Sequence, residues 1–406
     1  MSRESSDLDA RVSRDLAARI REIDGRLSNT SSRAFWLGHC RFLCRFAVSE
    51  MFELVEHFLP HTAYSLSGCL PVEHEIRCLV SEQLCIEVSS IVQEFEPTFK
   101  VETFVDDPEM VCWEWPELRI WLVEPLYHSA KFVIIQEPVR NRVTLVLSNP
   151  NVKTQIMRVL RELYLRELEA HGGILLHGGG FVKDEEVTLI VADKCCGKTT
   201  AMLTGLLISE MEYLANDRVL VVQDGEGLAV LPFPMAIRVG WGTARAFPNL
   251  HVPDLSTLYR PQDPRLAGET SEAATFGSGI KLELTPLEIS QFMRVPHSGG
   301  GKLKRILVPA IQKTGSGVKM TKLNHQQALD ELSGQVMTPI DEKWCNPWLL
   351  PRQVCSEAVR EMLERIVQNA DVFRVAYGFG DVDELRQNLR NDVRRAEELS
   401  GLLSHG

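Results

Sequence analysis

The sequence predicts an α/β protein, and three observations carry that prediction. The composition is globular: 406 residues, 44% hydrophobic and 24% charged, enough for two or three cores of ordinary size. Runs rich in β-branched and aromatic residues alternate with segments whose apolar residues recur every three or four positions, the periods that separate strands from helices. Near the middle, "VTLIV" passes through a tight turn into "TTAMLTGLLI", a strand leading directly to a helix. The expected division is an N-terminal helix over 1–30, an α+β domain over 31–150, a core over 151–330, and a mostly helical segment, 331–406, that completes the core.

Residues 6–28 place Leu8, Val12, Leu16, Ile20, Ile23 and Leu27 on one stripe of a helix ending near Gly25. Its length suits packing on its own chain better than a coiled coil. From Ala34 to Leu59 the apolar and aromatic residues fall at helical spacing. The segments "VETFV", "LRIWLVEP", "KFVIIQEP" and "RVTLVLS" read as a small sheet, with "SNPNV" (148–152) as its boundary. Residues 153–170 return to helix, with Ile156, Val159, Leu160, Leu163 and Leu168 on one face and Gly172-Gly173 as the C-cap. "ILLHGGGFV" and "VTLIVAD" are strands, followed by a helix from Lys198 to about Glu210 and the strand "YLAND". Asp224-Gly225 turns a hairpin within "RVLVVQDGEGLAVLP". Glycine-rich stretches at 276–279, 299–301 and 314–317 are expected to be mobile. A helix over 352–369, the strand "VFRVAY" and a closing helix follow; Asp381 and Glu384 have capping-box spacing at the last.

Charge and cysteine placement narrow the function classes. With 44 basic and 55 acidic residues the net charge is −11, which argues against generic nucleic-acid binding and leaves room for a nucleotide in one local basic pocket. Ten cysteines are scattered through apolar segments, as buried free thiols are. The opening residues lack an apolar signal run, and no stretch nears the roughly 18 apolar residues of a membrane span. The expectation is a cytoplasmic protein with no membrane partner. Cys40 and Cys44, and His57 and His61, have one-turn helical spacing compatible with metal ligation. Pro60 interrupts the second pair, and no further ligands are close in sequence, so core packing is expected. The tryptophan-rich "CWEWPELRIW" (112–121) reads as a half-buried strand.

The stretch "VADKCCGKTT" (191–200) carries the chemistry. A phosphate loop directs consecutive backbone N–H groups inward at a helix N-terminus, while a lysine reaches the β- and γ-phosphates and the next hydroxyl holds magnesium. Lys198 and Thr199 fit those roles, and Gly197 keeps the glycine beside the phosphates. Ala192 replaces the usual first glycine with a small methyl. Asp193, Lys194, Cys195, Cys196 and Thr200 are the remaining residues of the expected nucleotide cradle. Cys195 and Cys196 have two readings: small residues fitted to a tight turn, or thiols at a helix N-terminus that sense redox state.

The stretch "LLHGGGFVKDEEVTLIVADKCCGKTTAMLTGLL", followed by "YLANDRVLVV", resembles the kinase core of the HPr kinase/phosphorylase family. The resemblance covers about residues 170–310. His177-Gly178 matches the family's His-Gly pair at a strand end, and Asn216-Asp217 falls where the family has two aspartates. "AIRVGWGT" (236–243) is similar to its Ile-Arg-x-Gly stretch, and "KLELTPLE" (281–288) to a strand of distant members. The resemblance implies a P-loop core, a sheet with flanking helices. It implies an ATP-dependent phosphotransferase that uses Mg2+ and acts on a hydroxyl of a peptide or protein serine, or of a small metabolite, and it implies a homo-oligomer. In that frame Lys198, Asp217, His177 and Arg238 are the catalytic residues, and Thr199 and Asp217 the metal ligands.

Two departures open a second reading. The family's first aspartate, its acid–base group, falls on Asn216, and an amide accepts no proton at neutral pH. The family's glutamate before the Ile-Arg pair is also missing, since Ala236 and Ile237 stand there. The alternative is a nucleotide-binding regulator or scaffold that transfers nothing. His177 can equally be a satisfied core histidine, and Arg238 can sit either at the developing charge of the transferred group or in a surface salt bridge.

Overall fold

A computed structural model describes residues 3–59, 64–67, 72–102, 109–123, 131–247, 250, 254–267, 279–312, 317–337 and 355–391. It is a mixed α/β chain that divides into two compact units. The first comprises Met1–Glu56, Leu70–Glu167 and Asp341–Arg352, the second His57–Cys69, Leu168–Ile340 and Gln353–Gly406.

The first unit opens with α1 (Arg3–Ser28), then β1 (Ser32–Leu37), β2 (Cys40–Phe46), α2 (Glu50–Phe58), β3 (Val72–Val80) and α3 (Glu82–Val92). The strands β4 (Phe99–Glu102), β5 (Glu109–Trp115), β6 (Leu118–Val123), β7 (Phe132–Glu137) and β8 (Arg142–Leu147) lead to α4 (Gln155–Ala170). Its eight-stranded sheet runs β1-β2-β3-β8-β7-β6-β5-β4. The β2–β3 and β3–β8 pairs are parallel and the others antiparallel. Leu16, Ile23 and Leu27 of α1 and Leu84, Cys85, Val88 and Val92 of α3 share one core with Ile120, Val133 and Val146 of the sheet.

Three expectations for this unit are corrected. The helix expected to end near Gly25 continues to Ser28. The stretch 34–59 is a hairpin plus a short helix, because Cys40, Phe42, Cys44 and Phe46 are buried at every second position, the period of a strand. Gly38, at φ 54°, makes the turn between β1 and β2, a left-handed conformation that costs glycine little. Cys40 and Cys44 therefore lie on a strand, both buried; His61 falls outside the described residues. Among the described residues no group of three or more His, Cys, Asp or Glu is placed to hold a metal, and no helix is long and apolar enough to cross a membrane.

The second unit carries β9 (Ile174–Leu176), β10 (Gly178–Lys183), β11 (Glu186–Val191), α5 (Lys198–Leu206), β12 (Glu212–Ala215), β13 (Val219–Asp224) and β14 (Gly227–Pro232). There follow β15 (Ile237–Gly240), α6 (Trp241–Ala246), β16 (Lys281–Leu284), α7 (Pro286–Met293), β17 (Gly301–Ile311), β18 (Lys319–Lys322), α8 (His325–Ser333), α9 (Ser356–Asn369), β19 (Asp371–Tyr377) and α10 (382–391). Nine strands form one sheet, β12-β10-β11-β17-β14-β13-β9, with β19 joining β17 and β18 joining β19. The parallel partners β11–β17 and β17–β19 are its centre. From Val187 to Val191 β11 is buried throughout, as a strand covered on both faces must be. Ile190 packs with α5, β15, β16 and α7, whereas Val187, Leu189 and Val191 pack with α8 and α9. The result is a sheet between two helical layers.

The C-cap expected at Gly172-Gly173 forms: Gly172 has φ 74° and the Gly173 N–H donates to Leu168 O at 2.8 Å. The Asp224-Gly225 hairpin also forms. The helix after the loop ends at Leu206, four residues short of expectation. The glycines at 299–301 are packed rather than mobile: Gly299 is buried, Gly301 begins β17, and a Cβ there would lie 2.6 Å from Glu185 O. Residues 276–278 and 314–316 lie outside the described residues. Glu384 accepts from the Val318 N–H at 3.1 Å instead of closing a box with Asp381.

Candidate functional site

The site sits where β11 ends and α5 begins. Gly197, at φ 93°, is the N-cap of α5 and Cys195 is also left-handed at φ 68°. These two conformations wrap the loop tightly. A Cβ on Gly197 would come within 2.6 Å of the Tyr377 hydroxyl and 2.7 Å of Ile311 Cδ1, so only glycine fits between the loop and the ends of β17 and β19. The Tyr377 hydroxyl donates to Gly197 O at 2.9 Å. The first backbone bond of α5 runs from Ala201 N–H to Gly197 O at 2.9 Å, which leaves the amides of Lys198, Thr199 and Thr200 outside the helical ladder.

Lys198 folds over the loop: its Nζ donates to Ala192 O at 2.5 Å and to Asp193 O at 3.0 Å. Burial pushes this ammonium below the ordinary lysine range, against the pull of Asp217, Cys196, Asp193 and Cys195. A dianionic oxygen cluster at the same place would favour the charged form and oppose that shift. Thr199 Oγ1 donates to Asn216 Oδ1 at 3.5 Å. Thr200 is buried, its hydroxyl 3.2 Å from that of Thr243 on α6. Asp193, Lys194 and Cys195 are exposed, and Cys196 is half-buried.

The glycines of "HGGG" explain how the neighbouring strand approaches so closely. A Cβ on Gly178 would stand 2.9 Å from Ile190 O, on Gly179 2.9 Å from Ala215 O, and on Gly180 2.8 Å from Thr188 O. β10 is thus pressed between β11 and β12, bringing His177 beside Asn216 and Asp217. Asp217 adopts φ 74°, and its backbone O accepts from Gly178 N–H at 3.2 Å. Its carboxylate lies 3.6 Å from His177 Nε2 and 3.3 Å from the Arg218 guanidinium. Burial would raise the Asp217 carboxyl, but the His177 hydrogen bond and the charges of Arg218, His177 and Lys198 hold it below the ordinary range.

Lys198, Thr199, Asn216, Asp217 and His177 are therefore brought together. Arg238 lies on β15 in the two-stranded sheet. Opposite it in register is Glu283, whose carboxylate takes its Nε at 2.9 Å, and the side chain is 64% exposed. One carboxylate (Asp217), a hydroxyl (Thr199) and an amide oxygen (Asn216) are donors of the kind that could hold a magnesium ion whose shell is completed by phosphates and waters.

Sequence reasoning missed Tyr377, Gln335, Arg218 and Thr243. Gln335 Nε2 donates to Asp193 Oδ1 at 2.9 Å across 142 positions, and no local spacing announces such a contact. No protein-family model matches this chain, and no curated protein matches it.

Proposed function

We propose that the chain is an ATP-dependent phosphotransferase with an HPr-kinase-like P-loop core, passing a phosphoryl group to a hydroxyl of a peptide, a protein serine or a small metabolite. The observation that carries this reading is the loop itself: after a buried strand, Ala192 to Thr200 turn through two left-handed residues into α5, with an ammonium laid across the loop carbonyls. That arrangement presents backbone donors and one cation to a polyphosphate.

In this reading Lys198 leaves the carbonyls of Ala192 and Asp193 for the β/γ-phosphate oxygens, and loop amides around Cys195 to Thr199 donate to the rest. Thr199 and Asp217, with Asn216 alongside, would hold Mg2+, which supplies charge neutralisation between the β- and γ-phosphates. Asp217, held below the ordinary carboxylate range by its partners, is better suited to staying charged than to taking a proton. His177, 3.6 Å away, is then the group that receives the acceptor hydroxyl's proton. Asp217 steadies its Nε2, and Nδ1 becomes the receiving nitrogen. The exposed Arg238, paired with Glu283, would have to give up that ion pair to reach the transferred group.

Lys198→Met tests the reading. It removes one charge at a half-buried position and should lower phosphoryl transfer by about 10²–10³-fold, with unchanged circular dichroism. Undiminished transfer of labelled γ-phosphate by this variant refutes the proposal. Asn216 favours the second reading, a nucleotide-binding module without transfer. Restoring Asn216→Asp separates the two: a large gain of transfer marks a degenerate kinase, and no gain with an active parent marks His177 as sufficient.

A further inference from the structure

We propose that Gln335 is a positioning residue of the phosphate loop, fixing Asp193 so that the loop keeps the shape that receives a polyphosphate. The inference rests on the phosphate-loop reading and deepens it.

Gln335 is 5% exposed and follows α8, far from the loop in sequence. A carboxylate only accepts, so the atom 2.9 Å from Asp193 Oδ1 is the amide nitrogen Nε2. The same residue's backbone O accepts the His177 N–H at 2.7 Å. Two residues on, the Arg218 guanidinium points its Nε at Met337 Sδ, 3.2 Å away, and Arg218 is the partner of Asp217. One short segment thus touches the loop, the histidine and the residue that holds the carboxylate. Leu176 and Val336 form a β-bridge, so the segment is tied to the strand that leads into His177.

The energetics argue against a purely structural role. Gln335 Oε1 is buried with no hydrogen-bond partner among the described residues, and an orphaned buried acceptor is costly. An apolar side chain of the same length would avoid that loss. What glutamine gains there is a donor to Asp193, the exposed carboxylate nearest the start of the cradle. An untethered carboxylate beside bound phosphates would repel them; tethered to Nε2, it is held against the Gln335–Met337 segment.

The test is a double-mutant cycle on the full chain, read as the dissociation constant of a non-hydrolysable ATP analogue with Mg2+ by calorimetry. Gln335→Glu sets two carboxylates against each other and should weaken binding about ten-fold in the Asp193 background. In the Asp193→Asn background the pair is restored with roles exchanged, Asn donating to Glu, and the same substitution should cost less than about two-fold. If the wild type binds the analogue and Gln335→Glu binds equally well, or costs the same in both backgrounds, the proposal falls while the phosphate-loop reading stands. A drop in Tm with an unchanged dissociation constant also overturns it. If the wild type binds no analogue, the phosphate-loop reading itself is wrong and Gln335 loses its role with it. Should Gln335→Glu fail to fold, Gln335→Met, apolar and of similar length, is expected to give the same ten-fold loss, and wild-type binding by it refutes the proposal.

Discussion

Asp217 combines two costs that ordinary surface residues avoid. Its φ of 74° is expensive for a residue with a Cβ, about 1–2 kcal/mol, and its carboxylate is partly desolvated. His177 and Arg218 offset both by holding the side chain, an arrangement typical of functional positions, where strain persists because the surroundings over-determine it. Because the folded carboxyl titrates below its unfolded value, it stabilises the fold above the ordinary carboxylate range near pH 4, and that contribution is lost as pH falls through its own lower value. Urea midpoints measured from pH 6 down to pH 2 should therefore fall less steeply below about pH 4 in Asp217→Asn than in the parent. His177→Gln should reduce phosphoryl transfer about 10²-fold while leaving the affinity for Mg2+ and nucleotide within a few-fold, a split visible in single-turnover kinetics.

At the scale of elements, β10 shows how a strand can be selected for thinness. With glycine at 178, 179 and 180 it approaches β11 and β12 more closely than a side chain allows. Gly205 plays the same part for α5, since a Cβ there would overlap the Phe181 ring at 2.1 Å. Gly205→Val should lift α5 off β10 at a cost of about 1–3 kcal/mol, read as a lower Tm, and Phe181→Leu should recover part of it in the double variant. An unchanged Tm for Gly205→Val would contradict this packing. The sequence made β11, α5 and the Asp224-Gly225 hairpin legible because each carries local signals: a β-branched run, an apolar helix and a turn dipeptide. The stretch 34–59 misled because Phe42, Cys44 and Phe46 fit both periods until the burial alternation resolves them. α3 went unread although Leu84, Cys85, Val88 and Val92 recur at helical spacing and its Ser81 N-cap accepts from Leu84 N–H. Within the candidate site, Lys198 and Thr199 stood out from spacing along one strand–loop–helix unit, whereas Asp217 was singled out through the family resemblance. Gln335 and Tyr377 were not, because tertiary contacts at separations of 142 and 180 leave no periodic trace.

Across the described residues of the molecule the cysteines sort by chemistry rather than by number. Cys40, Cys44, Cys78, Cys85 and Cys112 are buried, whereas Cys195 and Cys355 are exposed. Burial raises the thiols of Cys40, Cys44 and Cys78, and pushes Cys112 up to about 12, so their thiolates are scarce at neutral pH. Brief alkylation of the native protein, mapped by mass spectrometry, should mark Cys195 and Cys355 well before those five, and Mg2+ with ATP should shield Cys195 but not Cys355. Equal labelling of Cys195 with and without nucleotide would count against the loop as the binding site.

The hydroxyl of Tyr377 closes onto Gly197 from 180 positions downstream. During synthesis the loop and its helix leave the ribosome long before the strand that secures them, since chain growth proceeds at about 5–20 residues per second. For many seconds the nascent chain carries the lysine and the threonine but not the brace behind them. The braced form of the loop therefore arrives late, and a chain interrupted before Tyr377 should emerge with that loop unlatched.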